Sequence, residues 1–373
     1  MKLTISKGEL QKGLTRIQSV VEKRNTMPIL ANVLLDASDK KKNTLILAAT
    51  DLEVGIRGSH PAEIKTPGKA SVSAKKLYEI VRELPDEPIS LEVTSNAYMQ
   101  ICCDRAKFTL AGNAAEEYPT LPDFTSGKTT VVQAIFLSEM IERTIYAASA
   151  DETRYNLNGV YFEQLSDSGK VRMVATDGHR LAIVDRMLGA NLAGLKPGVI
   201  IPRKGLVELK RLLDEDDTDE VELGFEGNNG LARKGDVTLV MRLIEGEFPN
   251  YQQVIPQETT IHLTLSVEAF SRALRRVVIL SAERSRAVKF ELSDGRLRLS
   301  SNNPDLGDAQ EDLDVDYAGE SLTVAFNARY LIDALNSVKA KEVRLGFKDA
   351  TSPAQLIPTD DDDALAVVMP MRV

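Results

Sequence analysis

The chain has 373 residues, too many for one ordinary domain and enough for two or three of roughly 100–200 residues each. A hydrophobic content of 43% supports real cores, and no run approaches the ~20 apolar residues of a membrane span. The net charge of -9, taken whole, argues against nucleic acid, because non-specific binding rests on Lys and Arg neutralising phosphates.

Taken in chain order, the predicted elements recur. A helix carrying Leu10 and Leu14 leads to β-like runs at Val33-Leu34-Leu35 and Leu45-Ile46-Leu47, ending at Thr50-Asp51. A second helix, 74–84, carries Lys76, and alternating strands such as 101–110 follow, up to Tyr118-Pro119. The series returns with Ile141 and Ile145, Val160-Tyr161-Phe162, 171–174 and Thr176-Asp177. It continues with a helix at 202–213 carrying Lys204, a strand at 237–243 and Phe248-Pro249. A third round has Phe270 and Leu274, Val288-Lys289-Phe290, Leu297-Arg298-Leu299 and Asn302-Asn303, then a helix at 327–338 with Arg329, and Met369-Pro370. The polar pairs at 50, 176 and 302 are spaced by 126 and 126 residues. Such a period marks a tandem of domains. The reading is α+β, with three tandem similar domains at 1–126, 127–254 and 255–373. Each packs two helices on antiparallel sheets with one buried face.

Divided this way, the charge is uneven. Over 6–19, 73–84, 137–148, 202–213, 266–277 and 327–339, Lys and Arg number 16 against 8 Asp and Glu. These helical spans carry +8 and the remainder -17. Good helix-forming character explains Lys and Arg but not the shortage of Glu. A basic helical layer presents one positive surface to phosphate, and the contact is sequence-blind.

Most motifs fail on spacing. Gly127-Lys128-Thr129 lacks the earlier glycine of a phosphate loop, since Pro122 stands there. Gly224, Gly227 and Gly230 do not fit a dinucleotide fingerprint. His60, His179 and His262 have no cysteine pair at ligand spacing, so no metal site and no cofactor is expected. Asp360 to Asp363 reads as a solvated hairpin tip. Cys102 and Cys103 adjoin on a strand, facing opposite ways, and suit no structural disulfide. The start of the chain lacks a signal-peptide pattern, and a cytoplasmic location is expected. Asp177 with His179 supports a rival reading, a hydrolase using an acid–base pair. No activated Ser or Cys motif accompanies it, and Asp51 and Asn303 have no such histidine.

Several stretches, in order, resemble one family. They are Met27-Pro28-Ile29-Leu30, Gly112 to Pro119, Leu157-Asn158-Gly159-Val160, and Ala175 to Ala182. Ile201-Pro202-Arg203-Lys204-Gly205, Gly246-Glu247-Phe248-Pro249 and Val367 to Arg372 complete them. The chain resembles the bacterial DNA polymerase III β subunits, the sliding clamps, over its whole length. The resemblance implies a head-to-tail homodimeric ring around double-stranded DNA, lined by twelve helices and without catalytic residues. Implied partners are the polymerase III catalytic subunit, the clamp loader and other proteins with a clamp-binding motif.

The resemblance carries DNA contact to Arg24, Lys76, Arg154, Tyr155, Arg203, Lys204 and Arg286. Asn156 and Asp151 depart from the Tyr and Gln of some members. It carries a partner-peptide pocket to Leu157, Thr176, Gly178, His179, Arg180, Leu181, Pro249, Val254, Val367 and Met369. A neighbouring subsite falls on Asn327, Tyr330, Thr351, Pro353, Pro370, Met371 and Arg372, and Gln253 replaces a basic residue of some relatives. The subunit contact falls on Phe108, Leu110, Ile279 and Leu280, with Asp305, Asp308 and Glu311 facing Arg105 and Lys107. A chain end this apolar is expected to be docked rather than frayed.

Overall fold

The computed structural model describes every residue except 22–26, 95, 123–128, 152, 167, 190–191, 193, 196–197, 216–217, 284 and 373. Arg24 and the Gly127-Lys128 pair therefore lie outside the described residues.

The first repeat opens with β1 (Lys2–Ile5), α1 (Lys7–Ile17), β2 (Asn32–Asp36), β3 (Thr44–Thr50) and β4 (Val54–Pro61). It continues with β5 (Glu63–Thr66), β6 (Lys69–Ser73), α2 (Ala74–Glu83), β7 (Ile89–Val93), β8 (Met99–Cys103), β9 (Ala106–Leu110) and β10 (Gly112–Asn113). The second has β11 (Thr130–Gln133), α3 (Ala134–Thr144), β12 (Gly159–Gln164), β13 (Val171–Thr176) and β14 (Arg180–Arg186). Then come β15 (Val199–Pro202), α4 (Arg203–Leu213), β16 (Glu220–Glu226), β17 (Asn229–Lys234) and β18 (Val237–Arg242). The third has β19 (Ile261–Ser266), α5 (Val267–Val277), β20 (Ala287–Ser293), β21 (Arg296–Asn303) and β22 (Gly307–Asp314). It closes with β23 (Leu322–Asn327), α6 (Ala328–Asn336), β24 (Glu342–Phe347), β25 (Ala354–Pro358) and β26 (Ala364–Val368).

The helices follow from caps and spacing. In α5 the Ser266 side chain accepts the Ala269 N–H, Glu268 sits in the first turn, and Arg275 and Arg276 lie in the last. That order complements the helix dipole. Phe270, Ala273, Leu274 and Val277 are buried at intervals that place them on one face. Leu10, Gly13, Leu14 and Ile17 repeat the spacing in α1 behind the Ser6 cap. Phe270 and Phe326 each meet Phe290 edge-on, with centroids 6.1 and 5.2 Å apart.

The chain forms two compact units, which cut through the second repeat. One comprises Met1–Ala134, Leu192–Gly194 and Lys204–Leu243, the other Ile135–Asn191, Leu195–Arg203 and Ile244–Val373. Strand pairing gives the reason. In the first unit β4 pairs antiparallel with β18, so one sheet runs β10-β6-β2-β3-β4-β18-β17-β16-β11. In the second, β14 pairs with β26, and the sheet runs β15-β12-β13-β14-β26-β25-β24-β19. Each pairing joins the inner strand of one repeat to the last strand of the next. Two shorter sheets remain, β5-β1-β7-β8-β9 in the first unit and β22-β21-β20-β23 in the second. Both end on an unpaired edge, β9 and β22, the counterparts of the strands that pair at the two joints.

The acidic run forms the turn between β25 and β26 with Asp360, Asp362 and Asp363 exposed, as expected of a solvated tip, and only Asp361 is half-buried. Asp361 pairs with Arg143 at 2.7 Å and with Arg186 at 2.5 Å, and Arg143 and Arg186 each reach Glu139 at 2.9 Å. Lys170 holds Asp363 at 2.6 Å, and Arg344 pairs with Asp362. The turn before β26 is thus tied by side chains of α3, β14 and β24, far away in sequence. Cys102 and Cys103 are free thiols. No described helix is long and apolar enough to cross a membrane.

Candidate peptide pocket and basic helices

The pocket stands on a turn that the chain uses twice. Thr176 Oγ1 donates to Arg180 O at 2.6 Å and accepts the Gly178 N–H at 3.1 Å. Asp177 Oδ1 accepts the N–H groups of His179 and Arg180 at 2.9 and 3.0 Å. In the first repeat Thr50 Oγ1 bonds Val54 O and the Leu52 N–H, both at 3.0 Å. Asp51 Oδ1 accepts from Glu53 and Val54 at 2.9 and 2.7 Å. The residue after Asp is left-handed in both, with φ of 77° at Leu52 and 89° at Gly178. Only at 178 does glycine adopt it without steric cost.

Arg180 locks this turn to α6. Its Nε donates to Asp177 Oδ2 at 3.0 Å and its Nη1 to Asp333 Oδ2 at 2.8 Å. The guanidinium lies 4.6 Å from the Tyr330 ring centroid, within cation–π range. His179 stacks on the same ring, centroids 6.4 Å apart and 13° from parallel. Burial raises the Tyr330 hydroxyl above its ordinary value, and Asp177 adds to this. The acid–base reading of Asp177 and His179 therefore fails. The carboxylate is committed to the turn and Arg180, and the imidazole is exposed and stacked.

The floor is apolar. Leu181 and Val367 are partners across β14 and β26, buried in one cluster with Val174, Ile183 and Tyr251. The Tyr251 hydroxyl donates to Glu163 Oε1 at 2.6 Å and accepts from Arg172 Nη1 at 3.1 Å. Asp185 grips Arg172 through two bonds of 2.7 Å. Above this floor opens a cavity of about 160 Å³, lined by Leu157, Thr176, Gly178, Arg180, Leu181, Pro249, Val254, Val367 and Met369. Asn250 and Tyr251 also line it, and His179 does not. Sequence reasoning missed that pair, although both directly follow Pro249.

The neighbouring set surrounds the chain end. The Met369 N–H bonds His179 O at 2.9 Å and the Met371 N–H bonds Ala325 O at 2.8 Å. The tail is docked on both sides of Pro370. Asn327 Oδ1 caps α6 by accepting the Arg329 N–H at 3.0 Å. Hydrogen bonds from the side chain and N–H of Thr351, with others from Ser352, hold Asp349 down to about 2. Pro353 precedes Ala354, which pairs with Val368. Arg372 is exposed.

Lys and Arg outnumber Asp and Glu 15 to 8 in the six helices. Two expected DNA contacts are nevertheless occupied inside the chain. Lys204 pairs with Asp51, whose side chain is buried. Arg203 donates to the carbonyls of Ile145 and Ala148 at 3.0 and 3.5 Å. Both stabilise helix α4 in its surroundings, which a sequence pattern does not register. Lys76 is exposed and pairs with Glu79 at 2.7 Å. Arg154 donates to Asp177 O at 3.1 Å, beside Tyr155, which is 71% exposed. Asn156 donates to Glu247 O at 2.9 Å. Arg286 is exposed.

At the open edges, Phe108 is 40% and Ile279 70% exposed, with Leu110 and Leu280 half-buried. Arg105, Lys107, Asp305 and Asp308 are exposed. Glu311 departs from the expectation, since Arg276 of its own chain holds it at 2.8 and 2.5 Å.

Three family models, described as the N-terminal, central and C-terminal domains of the DNA polymerase III beta subunit, match residues 1–122, 131–250 and 252–372. The chain belongs to the DNA polymerase III beta subunit family. It is 38% identical to the beta sliding clamp of Caulobacter vibrioides over 377 residues and 35% identical to that of Escherichia coli K12 over 378, with all of each chain covered. A solved beta sliding clamp from Caulobacter crescentus superposes with a TM-score of 0.94 at 38% identity, and one from Pseudomonas aeruginosa, bound to griselimycin, with 0.91 at 36%. Both cover the full length of each chain.

Proposed function

We infer that this chain is a sliding clamp, a non-catalytic processivity subunit. Two copies close head to tail around duplex DNA and tether the polymerase and other replication and repair proteins. The observation that carries this is the pair of unpaired edges. Each chain completes two of its three strand joints and leaves β9 and β22 as the matching halves of a third. A second copy supplies the missing halves, and a closed assembly leaves neither β9 nor β22 as an open edge. Basic helices give loose, salt-sensitive phosphate contact, while topology retains the ring. The domain joints proposed are 126/127 and 254/255, and the location proposed is the cytoplasm, where a bacterial chromosome is replicated.

The pocket above Leu181 and Val367 is the proposed site for an extended peptide with apolar side chains and a Gln at the rim. Met369 adapts its shape to different partners. Arg180, which lines the pocket, orients the peptide by polar contact, while His179 stands outside the lining, stacked on Tyr330. The deciding experiment is retention on circular DNA. The loaded protein should stay on nicked circles and leave when they are linearised. Equal retention on both would refute encirclement.

A further inference from the structure

One wall of the peptide pocket is a segment outside the sheets. Pro249, Asn250, Tyr251 and Val254 all line the cavity, and the short turn Tyr251–Val254 opens at Asn250 without a side-chain cap. Side chains fasten this segment to the sheet. Phe248 stacks on Tyr161 of β12, centroids 5.1 Å apart and 9° from parallel. Tyr251 meets Phe248 edge-on at 6.5 Å, and its hydroxyl ends in a polar socket.

Glu163, Arg172 and Asp185 form that socket as direct neighbours across β12, β13 and β14. Asp185 takes Nε and Nη2 of Arg172, which leaves Nη1 to donate to the Tyr251 hydroxyl. The hydroxyl in turn donates to Glu163. Burial raises its pKa above the ordinary value, and the Glu163 hydrogen bond adds to this, so the proton stays in place to be donated. Both bonds involve a charged partner, the stronger kind. The same row reads Asp36, Ile46 and Ser59 in the first repeat, without a guanidinium. In the third it reads Glu291, Arg298 and Asp312, where Arg298 engages Asp312 through Nε and Nη2 at 2.8 and 3.2 Å. An ion-paired row is therefore not peculiar to the pocket. What sets the second repeat apart is the hydroxyl inserted between Glu163 and Arg172.

We propose that Glu163 and Arg172, with Asp185 behind Arg172, are positioning residues of the peptide pocket. They hold the Tyr251 hydroxyl and so fix how far the 249–254 wall stands from the floor at Leu181 and Val367. None of the three lines the cavity, so they act through Tyr251 and not on the peptide. A wall set before the peptide arrives spares the cost of ordering it on binding. A fixed gap around a cavity of about 160 Å³ also discriminates by shape, taking a leucine side chain in preference to a wider aromatic ring. This role rests on the peptide-pocket reading and gives that site a source of selectivity outside its own lining.

The test titrates the full chain against two labelled peptides, alike in their Gln and differing only in leucine or phenylalanine at the last anchor. Tyr251→Phe keeps the ring against the cavity and removes only the hydroxyl. It should weaken the leucine peptide roughly two- to tenfold in Kd and the phenylalanine peptide less, narrowing the preference, with dimer mass unchanged. Glu163→Gln retains an acceptor for the hydroxyl and should keep both the parental affinity and the preference. Parental affinities in Tyr251→Phe, or an equal weakening of both peptides, would overturn the positioning role alone. A parent that binds neither peptide would overturn the pocket reading, and the socket's role with it.

Discussion

Leu121 reaches over Gly55, its Cδ2 only 2.3 Å from the point that a β-carbon on residue 55 would occupy. Strand register makes this contact informative. Val240 opposes Gly55 as Val367 opposes Leu181, so the first repeat carries a counterpart of the peptide pocket. There Leu121 fills the space above a glycine, and Arg242 stands where Met369 stands in the second copy. A cleft of about 320 Å³ remains at its mouth, without the apolar floor. Gly55→Leu, which copies Leu181, should expel Leu121 and cost about 1–3 kcal/mol through overpacking. Thermal unfolding reads the loss, and an unchanged Tm would show that Leu121 is not held there.

Met369 offers a cleaner test of the pocket than Leu181. It is part-exposed at the rim, so Met369→Ala should spare the fold. Losing a Met side chain's burial against a peptide is worth on the order of 1.5–3 kcal/mol, or roughly tenfold or more in Kd. Fluorescence anisotropy with a labelled peptide bearing Gln and two leucines should show this weakening, with dimer mass unchanged. Parental affinity would remove Met369 from the site.

The two internal joints also specify the third. The Asp104-Arg105 turn of β8–β9 aligns with Gly235-Asp236 of β17–β18, and the pair Asn302–Asp308 aligns with Thr50–Gly55. Thr109 then takes the place of Val240 and Asp308 that of Gly55. Thr109→Cys with Asp308→Cys should yield covalent dimers under mild oxidation, seen on a non-reducing gel. Moving the second cysteine to Ala309 points it to the other face and should abolish the cross-link. A stronger cross-link from the shifted pair would refute the register.

Asp361 sets an acid limit. Burial works to raise its pKa, but the Arg186 hydrogen bond and the charges of Arg186 and Arg143 prevail and lower it. A carboxyl with a depressed folded pKa adds stability that is present above its unfolded value, about 3.9, and lost as pH falls through the folded one. The Tm should therefore fall as the pH drops below about 4, and Asp361→Asn should flatten that dependence. An identical pH profile in the variant would show that the ion pairs contribute nothing.

The repeat was legible because each copy must bury the same helix face, and Leu10, Ile141 and Phe270 keep the period visible. The pocket was legible only through Thr176 to Leu181 and the apolar tail. Partnerships over long sequence distances were hidden. Nothing near Lys204 announces Asp51, and nothing in Asp360 to Asp363 announces Arg143 or Lys170. Charge counts registered these groups as free cations and anions, whereas folding pairs them. Tyr251 was missed for the same reason, since its anchors Glu163 and Arg172 lie far upstream.

Of the three kinds of strand joint, two are formed within a single polypeptide and do not depend on concentration. The third, β9 against β22, is bimolecular, and dilution acts on it alone. Twofold symmetry places every substitution on these edges at both joints of a closed ring. The free energy of closing the ring from two chains therefore changes by twice the effect on one joint. Opening a gap for DNA requires only one joint to part and feels the change once. Edge variants should separate these quantities, with the dimer dissociation constant moving by the square of the change in the single-gap opening equilibrium.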